Sequence, residues 1–290
     1  MSTGSMHIRK AQLITLALVA AAFAFTSVAN AAIKNTRHNM STSGGWNYTT
    51  TGGTYAGALD GDTSEICVFC HTPHGGTNVG VGPLWNRGFN NTIGSYTLYS
   101  SWTIDGTNGS VGGAGNYTGS MLCLSCHDGT QAIDTLINAP TTTAANGYNF
   151  NGGLGSEQGW SWTESKWMSS GIVGTEVAYI GTDLTDDHPI MIQYGGGGLS
   201  SGGGTVGDAD FNAPSTAVKG GTTYWYFDTD TSGGMSGADI KMYTYDLGGG
   251  VGDEPFVECY TCHDPHVETN RPFLRMSNSD SDLCLTCHAK

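Results

Sequence analysis

Eight positions, "CVFCHTPH" at residues 67–74, hold two cysteines and two histidines. Thiols and imidazoles at that density can bind a metal, pair as disulfides or fix a haem. Cys67, Cys70 and His71 make a C-x-x-C-H unit, which recurs at Cys123/Cys126/His127, Cys259/Cys262/His263 and Cys284/Cys287/His288. No cysteine lies outside these four pairs. Zinc sites and disulfides also use paired cysteines, but neither requires a histidine directly after each pair. With 9 histidines in 290 residues, four such coincidences have chance odds of roughly one in a million, whereas haem attachment demands them. Two intervening residues let one helical turn present both thiols to the vinyl groups on one porphyrin edge. The next residue then swings under the ring to the iron. The motifs therefore predict four covalent haem c groups, with His71, His127, His263 and His288 as proximal ligands.

The other histidines match the positions left on the iron. His7 lies in an N-terminal targeting segment, and the rest are His38, His74, His188 and His266. Two ligands per iron consume all eight. Methionine is the competing axial ligand, with Met40, Met121, Met168, Met191, Met235, Met242 and Met276 as candidates. A histidine supply that leaves none over favours bis-histidine ligation, and hence comparatively low potentials. His74 follows His71 by three residues across Thr72-Pro73, a link too short and restricted to round the porphyrin edge. It must serve a different haem. "CYTCHDPH" repeats the arrangement with His263 and His266. One such second histidine could reach an iron in another copy of the chain, and His74, in the first motif, is the better placed.

The elements that carry these residues are less legible. Glycine numbers 45 and charged residues make up 12% of the chain, a composition of loops with few continuous apolar runs. Something other than aliphatic side chains would then fill the core. The fold expected is a multihaem cytochrome c: mostly irregular coil, short helices at the haem motifs, a few short strands, and a core of stacked haems. Short strands are expected in "TEVAYIG" and "TYWYFDT", with Trp160, Trp162, Trp167 and Trp225 packing beside haems. Residues 1–31 read as a cleaved signal peptide: basic "MHIRK", apolar "AQLITLALVAAAFAFTSV", then the small-x-small "ANA" at Ala29–Ala31. Residues 32–290 read as one tetrahaem domain with a Gly-rich insertion at about 140–255. Cleavage removes Arg9 and Lys10 and leaves 9 basic against 25 acidic residues, a net charge of −16. That sign argues against nucleic acid or an anionic membrane surface as partner. No other stretch is long and apolar enough to span a bilayer.

"DTDTSGGMSGAD" places Asp228, Asp230, Ser232, Gly233 and Asp239 at positions 1, 3, 5, 6 and 12 of an EF-hand-like loop. Alternating hard oxygens of this kind can wrap calcium. Position 12 is aspartate rather than glutamate and no clear helix precedes the loop, so an Asp/Gly/Ser turn is the competing reading.

Taken together, "NTRHNM", "CVFCHTPHGG" followed by "LWN", "CLSCHDG", "DDHPI", "VECYTCHDPH", "FLR" and "LCLTCHAK" resemble the doubled-CXXCH multihaem c-type cytochromes. Within that group they are most similar to the OmcE-type tetrahaem subunits of extracellular cytochrome filaments, or nanowires, of metal-reducing bacteria. The resemblance runs from about Asn35 to the C-terminus through short motifs with variable spacers. It implies bis-His haems in an unbroken row along a helical homopolymer. It also implies a distal histidine donated across each subunit junction, which maps onto His74, and distal roles for His38 and His188. The function implied is electron transfer to redox partner cytochromes and extracellular acceptors such as metal oxides, without catalysis. A discrete periplasmic or surface carrier is the alternative. A multihaem reductase would need an iron with an open position, which the count of eight histidines opposes.

Overall fold

The computed structural model describes residues 32–41, 43, 47–50, 53–56, 64–77, 84–89, 96–109, 111, 118–128, 136–138, 180–200, 204–246 and 253–289. The signal segment, Trp160, Trp162, Trp167, Met168 and residues 175–179 of "TEVAYIG" lie outside them. Strands β1 (Asn47–Thr50) and β2 (Gly53–Ala56) form an antiparallel pair. Strands β3 (Thr97–Leu98) and β4 (Asp183–Leu184) form a short parallel one.

The larger sheet is built from β5 (Ile192–Gln193), β6 (Ser215–Lys219), β7 (Thr222–Phe227), β8 (Ile240–Asp246) and β9 (Asp253–Val257). They pair antiparallel in the order β5-β9-β8-β7-β6. "STAVK", "TTYWYF" and "IKMYTYD" are rich in the β-branched and aromatic residues that suit a pleated surface. Gly220 and Gly221 join β6 to β7 with φ of +61° and +83°, the left-handed backbone that a two-residue hairpin turn requires.

Strand β9 divides two apolar cores, because successive side chains of a strand face opposite ways. Phe256 packs with Val111, Met121, Leu124, Leu184 and Met191, whereas Val257 packs with Tyr194, Leu199, Trp225 and Met242. The strand then runs directly into Glu258 and Cys259.

This architecture corrects the expectation of an irregular coil around a core of stacked haems. Among the described residues, a five-stranded sheet and two side-chain clusters make the core, and Trp225 belongs to one of them. Average composition misled because glycine is concentrated in connections such as 195–198 and 220–221, leaving the strands dense in aromatic and aliphatic side chains. "TYWYFDT" does contain a strand, β7. The described α-helices are α1 (Ser120–His127), α2 (Cys259–Cys262) and α3 (Asp282–Cys287), each carrying a C-x-x-C pair. No described helix is long and apolar enough to cross a membrane.

Candidate haem sites

Each motif is held by a different part of the fold. In the first, a 3-10 turn at Cys67–Phe69 closes with the His71 N–H on Cys67 O at 2.7 Å. The "LWN" segment braces it: Thr72 N–H donates to Leu84 O (2.9 Å), and Asn86 donates to Cys70 O (2.9 Å) and Val68 O (2.7 Å). In the second, α1 carries Cys123 and Cys126, both half-buried. The helix is anchored by Met121 and Leu124 in the core and by buried Arg87, whose Nη2 donates to Ser125 O at 2.9 Å. Asp128, just beyond it, accepts the Tyr96 hydroxyl at 2.6 Å.

The third motif follows β9. Glu258 caps α2 in a reciprocal capping box with Thr261. Its Oε2 also accepts Ser120 N–H at 3.0 Å and the Ser120 hydroxyl, and Ser120 Oγ in turn accepts Cys259 N–H at 3.0 Å. Helices α1 and α2 are thus joined at their first residues. Gly119 allows it, since a Cβ there would overlap the Tyr260 ring. The fourth motif rests on the segment after β5: the Tyr194 hydroxyl and the Asn212 N–H donate to Cys287 O at 3.1 and 2.8 Å. Phe211 packs on His288 with ring centres 4.7 Å apart.

All eight cysteines are unpaired thiols. Burial pushes Cys70 up to about 12, Cys262 to about 11 and Cys287 to about 12. Zinc takes thiolates, which this burial disfavours. Among the described residues, no cluster of cysteine and histidine converges on a metal position.

Each thiol of the second motif neighbours a thiol of a different motif. Cys126 lies close enough to Cys70 of the first motif to add to the rise in that thiol's proton affinity. Cys123 lies close enough to Cys259 of the third for the two thiols to shift each other's proton affinity, Cys123 upward and Cys259 downward. Helix α1 therefore stands between the first and third motifs, with Cys126 toward one and Cys123 toward the other.

The histidines do converge, in pairs drawn from different motifs. The rings of His71 and His266 lie 6.2 Å apart at 11°, and those of His38 and His127 lie 6.2 Å apart at 70°. Two iron–nitrogen bonds of about 2.0 Å, plus about 1.2 Å from each nitrogen to its ring centre, span roughly 6.4 Å. Both pairs match that separation. His188 and His288 are close enough to repel electrostatically. The His74 ring is exposed and, among the described residues, has no ring contact with another histidine. Its backbone is nonetheless pinned, its carbonyl accepting Asn138 Nδ2 at 2.8 Å and Thr72 Oγ1 at 3.0 Å.

Proton positions also suit ligation. The Nδ1 atoms of His38, His188 and His263 lie 3.0, 3.0 and 2.8 Å from the carbonyls of Pro265, Pro189 and Pro272. A carbonyl only accepts, so each Nδ1 carries hydrogen and each Nε2 keeps its lone pair for a metal. Burial lowers the affinity of all three for a second proton, His38 to about 4, so the imidazoles stay neutral. His266 Nδ1 is oriented instead by the Asp264 carboxylate at 3.2 Å. Burial pushes the Asp264 carboxyl up, but hydrogen bonds from His266 outweigh it and hold the group below its ordinary range.

The sequence reading passed over Glu258, Asp264, Asn86 and Asn138. Only Glu258 left a readable signal, an acid three residues before Thr261 at a helix start. At the calcium-like loop, the carboxylates of Asp228, Asp230 and Asp239 lie within 4.8 Å of one another. The loop satisfies them itself: Asp228 accepts Gly233 N–H (2.9 Å), Asp230 the Ser236 hydroxyl (2.7 Å) and Asp239 Thr229 N–H (2.9 Å). Ser232 Oγ turns to Gly234 O at 2.9 Å.

Residues 254–290, covering the third and fourth motifs, match the family model described as the doubled CXXCH motif. No curated protein matches the chain. The C-x-x-C-H motifs with this match indicate covalently bound haem c and electron transfer of the multihaem c-type cytochrome kind.

Proposed function

We propose that this chain is an exported tetrahaem c-type cytochrome that passes electrons along four bis-histidine haems, as the repeating subunit of an extracellular filament. Haem, when bound, supplies a one-electron iron couple. Cys67/Cys70, Cys123/Cys126, Cys259/Cys262 and Cys284/Cys287 hold the four groups by thioether bonds, and His71, His127, His263 and His288 take one face of each iron. The observation that carries the reading is the 6.2 Å ring spacing of two histidine pairs from separate motifs.

That spacing supports His266 as the second ligand beside His71, and His38 beside His127. The closeness of His188 to His288 supports a third pair. His263 and His74 remain: His263 lies near His38, which the His127 pairing already takes, so neither has a histidine left to pair with among the described residues. His74 is exposed on a pinned backbone, which suits donation to the His263 iron of a neighbouring copy. Such a head-to-tail contact does not close on itself, so it propagates as a filament. With both axial positions of every iron taken, no position is left for substrate, and the protein acts as a conductor rather than an enzyme. Redox partner cytochromes and metal oxides are the partners that suit it.

Intact mass of the mature chain should report four haems, and electron microscopy of protein sheared from cells should show fibres of constant width. His74→Ala should abolish the fibres and convert one haem of four to high spin, with imidazole restoring its low-spin spectrum. Small separate particles from the unmodified protein would favour the discrete periplasmic carrier and refute the filament.

A further inference from the structure

Glu258 is an acid in an unusual place. It is 1% exposed and sits between the second and third haem motifs, next to Cys259 and bonded to the first residue of α1. Acids are almost never so buried without a charged partner. The titratable groups facing it are Cys123 from α1, Tyr243 and Tyr245 from β8, and Cys259 and Tyr260 from its own helix. None of these is a cation. One oxygen, Oε2, accepts from Ser120, while Oε1 is buried with no hydrogen-bond partner.

These features set two effects against each other. Burial raises the proton affinity of the carboxyl, and the Ser120 bonds lower it, with burial the larger. A carboxylate held in such balance responds to any nearby change of charge. The flanking cysteines bond to the porphyrin rather than to iron, and the nearest iron ligand in sequence, His263, lies five residues on. A ferric bis-histidine haem core carries one net positive charge, which reduction removes.

We infer that Glu258 is a redox-linked proton site, ionised while the second and third haems are oxidised and protonated when an electron enters that pair. The step balances: ferric iron gains one electron from the donor, the Glu258 carboxylate gains one proton from solvent, and the net charge of the site is unchanged. Electron passage through this part of the chain is then coupled to proton movement, and its driving force depends on pH. The inference rests on haem loading at the second and third motifs and is independent of polymerisation.

The test is a potentiometric titration of the haem-loaded protein from pH 5 to pH 9, beside Glu258→Gln, which keeps an oxygen acceptor for Ser120. In the unmodified protein, one spectral component should fall in potential with pH, by up to about 59 mV per ten-fold change in proton concentration for a one-electron couple. In Glu258→Gln that dependence should vanish while haem content and low-spin spectrum persist. Ser120→Ala, which removes the hydroxyl bond favouring the ionised form and keeps the backbone one, should move the same dependence to higher pH. Reduction of the unmodified protein should also produce the infrared carbonyl band of a protonated carboxylic acid, whatever the variants do. Equal pH slopes in fully loaded wild type and Glu258→Gln, or no such band at any pH, would overturn the proton site alone. Fewer than four haems by mass would instead overturn the tetrahaem reading.

Discussion

The third and fourth motifs are only 25 residues apart, from Cys259 to Cys284, yet the fold treats them differently. The loop after α2 touches three sites. His263 belongs to its own motif, His266 pairs with His71, and Pro265 O orients His38, which pairs with His127. Arg37 reinforces this junction, its Nε lying 3.2 Å from Glu268 Oε1 and its N–H donating to Oε2 at 3.0 Å. Helix α3, in contrast, has no buried residue, and Cys284 and Leu285 are exposed. The contrast teaches that the four C-x-x-C-H motifs are not held equivalently. Loop 263–268 is a shared bracket beside the first three, and the fourth is attached at the margin.

Core packing gives the largest test of that contrast. Phe256→Ala would empty a fully buried position beneath α1 and just before α2, at a cost of about 3–5 kcal/mol. Leu285→Ala, on α3, should stay within about 0.5 kcal/mol. Denaturant titrations of the two loaded variants give both values, and equal losses would break the distinction between bracket and margin.

Ligand removal sharpens the comparison spectroscopically. His266→Ala should leave the haem of the first motif high spin, with little change at the other three, and added imidazole should restore it. His188→Ala should act only on the fourth. Ferric low-spin haem also reports the angle between its ligand planes. The 11° and 70° pairs should therefore give two distinct electron paramagnetic resonance signals, the wider g spread belonging to the near-perpendicular His38/His127 pair. His38→Ala should delete that signal selectively. A single uniform signal in the unmodified protein would contradict the pairing.

A smaller effect is expected at Asp264, which orients His266 and faces Arg275 Nη1 at 3.6 Å. A carboxylate bonded to a ligating imidazole makes it a better donor and favours the ferric state. Asp264→Asn should raise the potential of the first-motif haem by an amount on the order of tens of millivolts. The fourth haem should not move.

The chemistry was legible in the sequence because covalent attachment leaves rigid spacing behind. Cysteine pairs, their histidines and the count of eight imidazoles could be read without any fold. Pairing could not, since His71 and His266 are brought together by contacts 195 residues apart in the chain. Nor could the place of Cys126 beside Cys70, which depends on how α1 packs against the first motif. The sheet was half legible: β7 announced itself in "TYWYF", whereas β9 is hidden by Asp253, Glu254 and Pro255 ahead of its two core residues. Asn86 stood only as the last letter of "LWN", with no role attached, and Asn138 gave no sign at all. An asparagine whose side chain ties distant stretches of backbone, buried like Asn86 or exposed like Asn138, has no preferred neighbour in sequence and is visible only once the chain has closed.

Those two asparagines carry the smallest and most specific prediction. Asn86 Nδ2 donates to Asn138 O at 2.9 Å, Asn138 N–H donates to Asn86 Oδ1 at 2.9 Å, and Asn138 Nδ2 holds the His74 carbonyl. The first motif thereby fixes the backbone of a histidine whose ring faces solvent. Asn138→Ala removes one neutral hydrogen bond at the His74 carbonyl, a loss of about 1 kcal/mol, or roughly five-fold in the concentration needed to form fibres. Haem content and the first-motif spectrum should not change, because neither His71 nor His266 is touched. Sedimentation against protein concentration measures the shift. Unaltered assembly in Asn138→Ala would mean that His74 needs no bracing to find its partner, and that the bracket serves only the first motif.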